Sequence, residues 1–115
     1  MNALPVRQVL ESVYAAPQLD PAAMAVASAM GFRSVINNRP DFEHGPGQPA
    51  NADIAAAAEA AGLSYCFLPV GSGYQSPEQI AELARLLDEM PKPILLFCRS
   101  GARSTRLALA VEGQR

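Results

Sequence analysis

At 115 residues and 12.2 kDa the chain is long enough for one domain and too short for several. Half of it is apolar and 17% is charged, a balance that supports a packed core and is wrong for intrinsic disorder. Lys plus Arg number 9 against 11 Asp plus Glu, a net charge of -2, so no basic excess exists to neutralise nucleic-acid phosphates or an anionic membrane surface.

The longest apolar runs, Ala22 to Ala27 and Ile94 to Cys98, fall far short of a membrane span. Met1 to Glu11 is interrupted by Pro5, Arg7 and Glu11 and has no apolar signal-peptide core. The two cysteines, Cys66 and Cys98, are too few for a disulfide scaffold and fit a reducing compartment. The expectation is one cytoplasmic domain over residues 1–115, with no cofactor or metal, binding neither nucleic acid nor membrane.

Val13-Tyr14-Ala15 is a short strand closed by Pro17. Asp20-Pro21 opens a helix, with Asp as cap and Pro at the first helical position, and Gly31 stops it after Met30. Phe32 to Asn37, with β-branched Val35 and Ile36, reads as a buried strand. Asn38 to Asn51 holds three prolines and two glycines and is a long loop, a feature that is commonly functional. Asn51 or Asp53 is expected to cap an Ala-rich helix that ends before Gly62. Leu63 to Val70 is the next strand and Gly71 to Gln75 a flexible turn. Ser76-Pro77-Glu78-Gln79 then carries the pattern of a capping box, and Ile80, Leu83, Ala84 and Leu87 repeat at helical spacing. Pro91 and Pro93 break that helix, Ile94 to Phe97 is the last core strand, and Ser104 to Glu112 a final helix. Strands alternating with helices predict an α/β fold: a small parallel-sheet core with flanking helices.

The chemistry concentrates in Cys98-Arg99-Ser100-Gly101-Ala102-Arg103-Ser104, between the last core strand and the following helix. Open α/β sheets place their ligands at this carboxyl edge. Successive backbone N–H groups there can converge on one point, helped by the positive end of the helix dipole. Such a cradle, with two guanidinium groups nearby, lowers the pKa of Cys98 and makes it a nucleophile. Gly101 supplies the backbone freedom of a tight curl. Arg103 can hold an anion bidentately, and Ser104 can donate to the sulfur or cap the helix. A bland reading, Cys98 as a small buried residue, leaves the crowding of arginines, serines and glycine behind an apolar strand unexplained. Cys98 and Arg103 are thus the catalytic candidates, with Arg99, Ser100, Gly101, Ala102 and Ser104 forming the substrate cradle. Arg39 and Asp41 open a second loop at the same edge and join them as binding candidates.

This loop resembles, in outline, the active loops of cysteine phosphatases and rhodaneses. Three further segments, Val13 to Leu19, Val35 to Glu43 and Ala60 to Tyr65, together with Leu68-Pro69-Val70, resemble the phosphatase-like domain of beta-lactamase hydrolase-like proteins. The resemblance runs from about residue 13 to 112 and implies a fold similar to dual-specificity phosphatases. It also implies partners, since such domains occur beside sulfide-oxidising and persulfide-dioxygenase modules.

Three departures from the phosphatase pattern favour sulfur chemistry. Only Arg99 to Ala102, four residues, separate Cys98 from Arg103, where cysteine phosphatases have five; this suggests a tighter, rhodanese-like cradle. Phe97 replaces the usual His before Cys. Gly71 or Ser72 stands near the position of the phosphatases' general acid. The expectation is therefore a rhodanese-type sulfurtransferase, in which Cys98 takes sulfane sulfur from thiosulfate or glutathione persulfide as a persulfide. The alternative is a protein-tyrosine/dual-specificity-phosphatase-like hydrolase working through a phosphocysteine on a phosphoester, with Asp41 or Glu43 as substitute acid. His44 reads as a solvated loop histidine, and Cys66 as a core residue rather than a resolving thiol for Cys98.

Overall fold

The structure is a computed structural model and describes residues 4–115. In chain order its elements are β1 (Arg7–Leu10), β2 (Val13–Ala16), α1 (Pro21–Ala29), β3 (Ser34–Asn37), α2 (Asn51–Ala60), β4 (Ser64–Phe67), α3 (Pro77–Glu89), β5 (Ile94–Phe97) and α4 (Ala102–Gly113).

Local chemistry explains most helix starts. The Asp20 carboxylate accepts from Ala23 N at 2.9 Å, with Pro21 beginning α1. The capping box of α3 is complete: Ser76 Oγ accepts from Gln79 N at 3.0 Å, and Gln79 Oε1 accepts from Ser76 N at 2.8 Å. Neither Asn51 nor Asp53 caps α2. Ala50 occupies that position, and Asp41 in the long loop accepts from Asn51 N at 2.8 Å instead. The Asn51 side chain is taken, because its Oδ1 accepts from Tyr65 OH at 2.6 Å. α4 begins at Ala102, two residues before Ser104, with Gly101 at its cap.

The strands form one sheet in the order β1-β2-β5-β3-β4. β2, β5, β3 and β4 are parallel, as expected, but the sheet is mixed, because β1 pairs antiparallel with β2. Arg7-Gln8-Val9-Leu10 is a half-exposed edge segment that reverses through Ser12 at a left-handed φ of 62°, and its register slips between Gln8 and Leu10. Each face buries its own cluster. Leu95, Phe97 and Val35 pack with Met24 and Ala27 of α1 and Ile54 and Ala58 of α2. On the opposite face Ile94, Leu96 and Ile36 pack with Leu83 and Leu87 of α3 and Leu107 and Val111 of α4. All four side chains of β5 are buried, each worth roughly 1.5–3 kcal/mol over exposure.

The register sets the geometry of the site. Ala16 and Asn37 both lie level with Phe97, and Phe67 is level with Asn37. The four parallel strands therefore end in one row, and the loops that follow them emerge side by side around Cys98.

Candidate active site

Because β5 lies between β2 and β3, the loop after it is tied on both sides. Cys98 N donates to Ala16 O at 3.4 Å, Gln18 N to Arg99 O at 3.1 Å, and Asn38 N to Phe97 O at 2.8 Å. The chain then turns at Gly101, whose φ of 92° lies in the left-handed region. A Cβ there would touch the Ala16 carbonyl at 3.4 Å, an ordinary contact, so it is the left-handed conformation that favours glycine. Thr105 Oγ1 closes the turn by donating to Gly101 O at 2.8 Å.

The result is a ring of donors around the sulfur. Gly101 N donates to Cys98 Sγ at 3.1 Å. The amides of Ser104 and Arg103, in the first turn of α4, lie near enough to the sulfur to favour its charged form. Cys98 is fully buried, and burial pushes its thiol up. The Ser104 amide and hydroxyl, with the Gly101 and Arg103 amides, outweigh that cost and leave the pKa below the ordinary thiol value. The Ser104 hydroxyl has a single proton and two acceptors in reach, since it donates to Asn38 Oδ1 at 2.8 Å and stands beside the sulfur. Asn38 is anchored in turn by donating Nδ2 to Leu68 O at 2.9 Å.

Arg103 is 6% exposed, and its guanidinium is held end-on. Nη1 donates to Glu43 Oε2 at 2.7 Å and Val70 O at 2.9 Å, and Nη2 donates to Glu43 Oε1 at 2.8 Å. Nε and the second Nη2 proton remain as a side-on fork, the arrangement that suits an oxyanion. Glu43 Oε1 also accepts from Arg39 Nε at 2.9 Å, and Arg39 Nη1 donates to Gln18 Oε1 at 3.0 Å. The Arg103 hydrogen bond, opposed by burial and joined by the Arg39 bond, holds Glu43 below the usual carboxylate range.

The structure brings Cys98, Gly101, Arg103 and Ser104 together. Ser104 does not cap α4; it lies inside the helix, where its amide and hydroxyl serve the sulfur. Arg99, Ser100 and Ala102 are exposed; Ser100 Oγ accepts from Ala102 N at 3.3 Å, so that amide is not part of the ring. Arg39 joins the site through Glu43, whereas the Asp41 carboxylate is engaged at the start of α2. Glu43 is no substitute acid, because two arginines keep it ionised. Cys66 lies level with Leu96 through Ile36, two strands away. At about 4.8 Å per strand that exceeds the roughly 7 Å that a disulfide can span, so Cys66 cannot resolve Cys98. Sequence reasoning missed Asn38 and Gln18. A buried Asn directly after a β-branched strand was the available signal for the first.

The phosphatase-like domain model of beta-lactamase hydrolase-like proteins matches residues 5–113. The chain belongs to that family. It is 40% identical over 80 residues to a beta-lactamase hydrolase-like protein of Agrobacterium fabrum, covering 70% of this chain and 18% of that protein. The domain thus spans under a fifth of the length of the curated relatives it matches. Among solved structures it resembles a "putative phosphatase" from Neisseria meningitidis, at 28% identity and a TM-score of 0.79 over 88% of this chain and 71% of that one. The fold alone is shared with the core catalytic domain of the PP-IP phosphatase SIW14 from S. cerevisiae, 11% identical with a TM-score of 0.63 over 88% and 59% of the two chains.

These likenesses overturn the expected rhodanese-type sulfurtransferase and with it the persulfide chemistry: the family model describes a phosphatase-like domain, and both of these solved structures are named as phosphatases. The physical reason is that residue count alone does not set the width of the cradle. Gly101 in the left-handed region brings its amide onto the sulfur, and the early start of α4 at Ala102 places the Arg103 and Ser104 amides near it within the shorter spacing. Among the described residues no helix is long and apolar enough to cross a membrane.

Proposed function

We propose that the domain is a cysteine-dependent phosphatase-like hydrolase acting on small anionic phosphoesters. The observation that carries this reading is the Cys98 sulfur accepting from the Gly101 amide at 3.1 Å before the first turn of α4, with the Arg103 side chain beside it. An ionised sulfur is the nucleophile, and amides with a guanidinium fork suit the equatorial oxygens of a phosphoryl group in transfer. Cys98 attacks phosphorus to give a phosphocysteine, which water then hydrolyses. Arg103 binds the dianion and takes up charge in both steps. Glu43 positions Arg103, and Arg39 positions Glu43; Ser104 supports the thiolate, with Asn38 holding its hydroxyl. The family description and the phosphatase names of the structural relatives support the same reading.

The test is hydrolysis of p-nitrophenyl phosphate by wild type and Cys98→Ser, with acid quenching to trap phosphocysteine. Wild type should turn over and label on Cys98, and the serine variant should fall to background. Hydrolysis that survives in Cys98→Ser refutes the assignment.

A further inference from the structure

A phosphatase ordinarily has two jobs at this edge: a nucleophile for phosphorus and an acid for the departing oxygen. The first is built here and the second is not. After β2 come Pro17, Gln18, Leu19 and Asp20; Gln18 is bound to Arg39, and the Asp20 carboxylate is engaged at the start of α1, where it accepts from Ala23 N at 2.9 Å. After β3 come Asp41, whose carboxylate serves the α2 amide, and Glu43, which two arginines hold ionised. His44 follows on the same loop with an exposed side chain, and only its backbone is tied, to Gln48. After β4 the run from Leu68 to Gln75 contains no carboxylic acid. Its one ionisable side chain, Tyr74, is 70% exposed and lines a groove with Ile80, Arg106 and Ala110. In the loop of Cys98 itself the charged neighbours are the guanidinium groups of Arg99 and Arg103, and no carboxylic acid stands among them.

Resting on the phosphatase reading, we infer that the substrates of this domain are phosphoryl compounds whose leaving groups depart as stable anions. Acyl phosphates, phosphoanhydrides and aryl phosphates of acidic phenols belong to this class; alkyl phosphates do not. In the first step the sulfur–phosphorus bond forms as the phosphorus–oxygen bond breaks, and the electron pair leaves on that oxygen with no proton transferred. In the second, water attacks phosphorus, the sulfur–phosphorus pair returns to Cys98, and the water proton passes to solvent. No carboxylate assists that second step either, so with a good leaving group phosphocysteine accumulates and its hydrolysis limits turnover.

The experiment is a leaving-group series: dinitrophenyl, p-nitrophenyl and phenyl phosphate with acetyl phosphate and inorganic pyrophosphate, for wild type, His44→Ala and Tyr74→Phe. From dinitrophenyl to phenyl phosphate kcat/KM should fall by about 10²- to 10⁴-fold, the factor that a general acid otherwise supplies. The fall should be the same in both variants. Rapid mixing with dinitrophenyl phosphate should show a burst of phenolate matching the enzyme concentration. A flat series in wild type overturns the inference, and a series that steepens in either variant assigns the acid to that residue and overturns it too. If even dinitrophenyl phosphate shows no hydrolysis dependent on Cys98, the phosphatase reading itself fails.

Discussion

Replacing Glu43 with glutamine changes one charge and almost no volume, at the point where two buried arginines meet. The carboxylate accepts three charge-assisted hydrogen bonds, two from Arg103 and one from Arg39. Glutamine keeps one acceptor oxygen and turns an NH₂ toward a guanidinium that can only donate. Both arginines are about 5% exposed, so neither recovers its hydration. Deleting one partner of a fully buried pair costs roughly 3–5 kcal/mol. The Glu43 side chain is 25% exposed, and the water that reaches it reduces the expected loss to about 2 kcal/mol. In a domain of this size that lowers Tm by about 10 °C. A loosened Arg103 fork should also reduce kcat/KM for p-nitrophenyl phosphate at least tenfold, equivalent to about 1.4 kcal/mol. The pH dependence has a definite sign. The folded-state pKa of Glu43 lies below 4.5, so its contribution is complete above that value and disappears as pH falls through the folded pKa. Melting curves of both proteins should therefore differ most near neutrality and converge in acid. Equal melting at neutral pH with undiminished activity, or a gap that widens in acid, would refute the role given to Glu43.

Ser104→Ala removes a hydroxyl that favours the Cys98 thiolate, so the thiol titration, followed by thiolate absorbance in the ultraviolet, should move up in pH; an unmoved midpoint would assign the hydroxyl wholly to Asn38. Gly101→Ala forces a side chain into the left-handed region against the Ala16 carbonyl and should cost about 1–2 kcal/mol in urea unfolding while raising the Cys98 titration; neutral stability would contradict the geometry. Asp41→Ala strips the start of α2 of its acceptor and should cost about 1 kcal/mol by the same measurement, with little effect on Cys98.

Features written over a few consecutive residues were legible in the sequence. Asp20-Pro21 and the Ser76 to Gln79 capping box mark helix starts because cap and amide lie three residues apart. Ile94 to Phe97 followed by Cys98 and Gly101 marks both a central strand and the tight turn behind it, since burial and left-handed turning each demand particular residue types. What escaped depends on partners distant along the chain. β1 exists because it pairs with β2, and Arg7-Gln8-Val9-Leu10 has no clean alternation to announce it. The cap of α2 comes from Asp41, ten positions before the amide that it serves. Glu43 and Arg103 are 60 positions apart, so the loop glutamate read as an acid is in fact the counter-ion of the arginine. Reaction class is hidden for a related reason: the number of residues between Cys98 and Arg103 carries no information on where α4 starts.

The ties on either flank of the Cys98 loop, to Ala16 and Gln18 on one strand end and to Asn38 on the other, have a consequence for how the domain loses competence. Its donor ring is organised by the sheet itself before any ligand arrives, so the ordering entropy is spent once, during folding, and not again at each encounter. Amide protons at Gly101 and Ser104 should then exchange with solvent as slowly as those of β5, and heat should abolish nucleophilicity and strand pairing together, in a single cooperative melt.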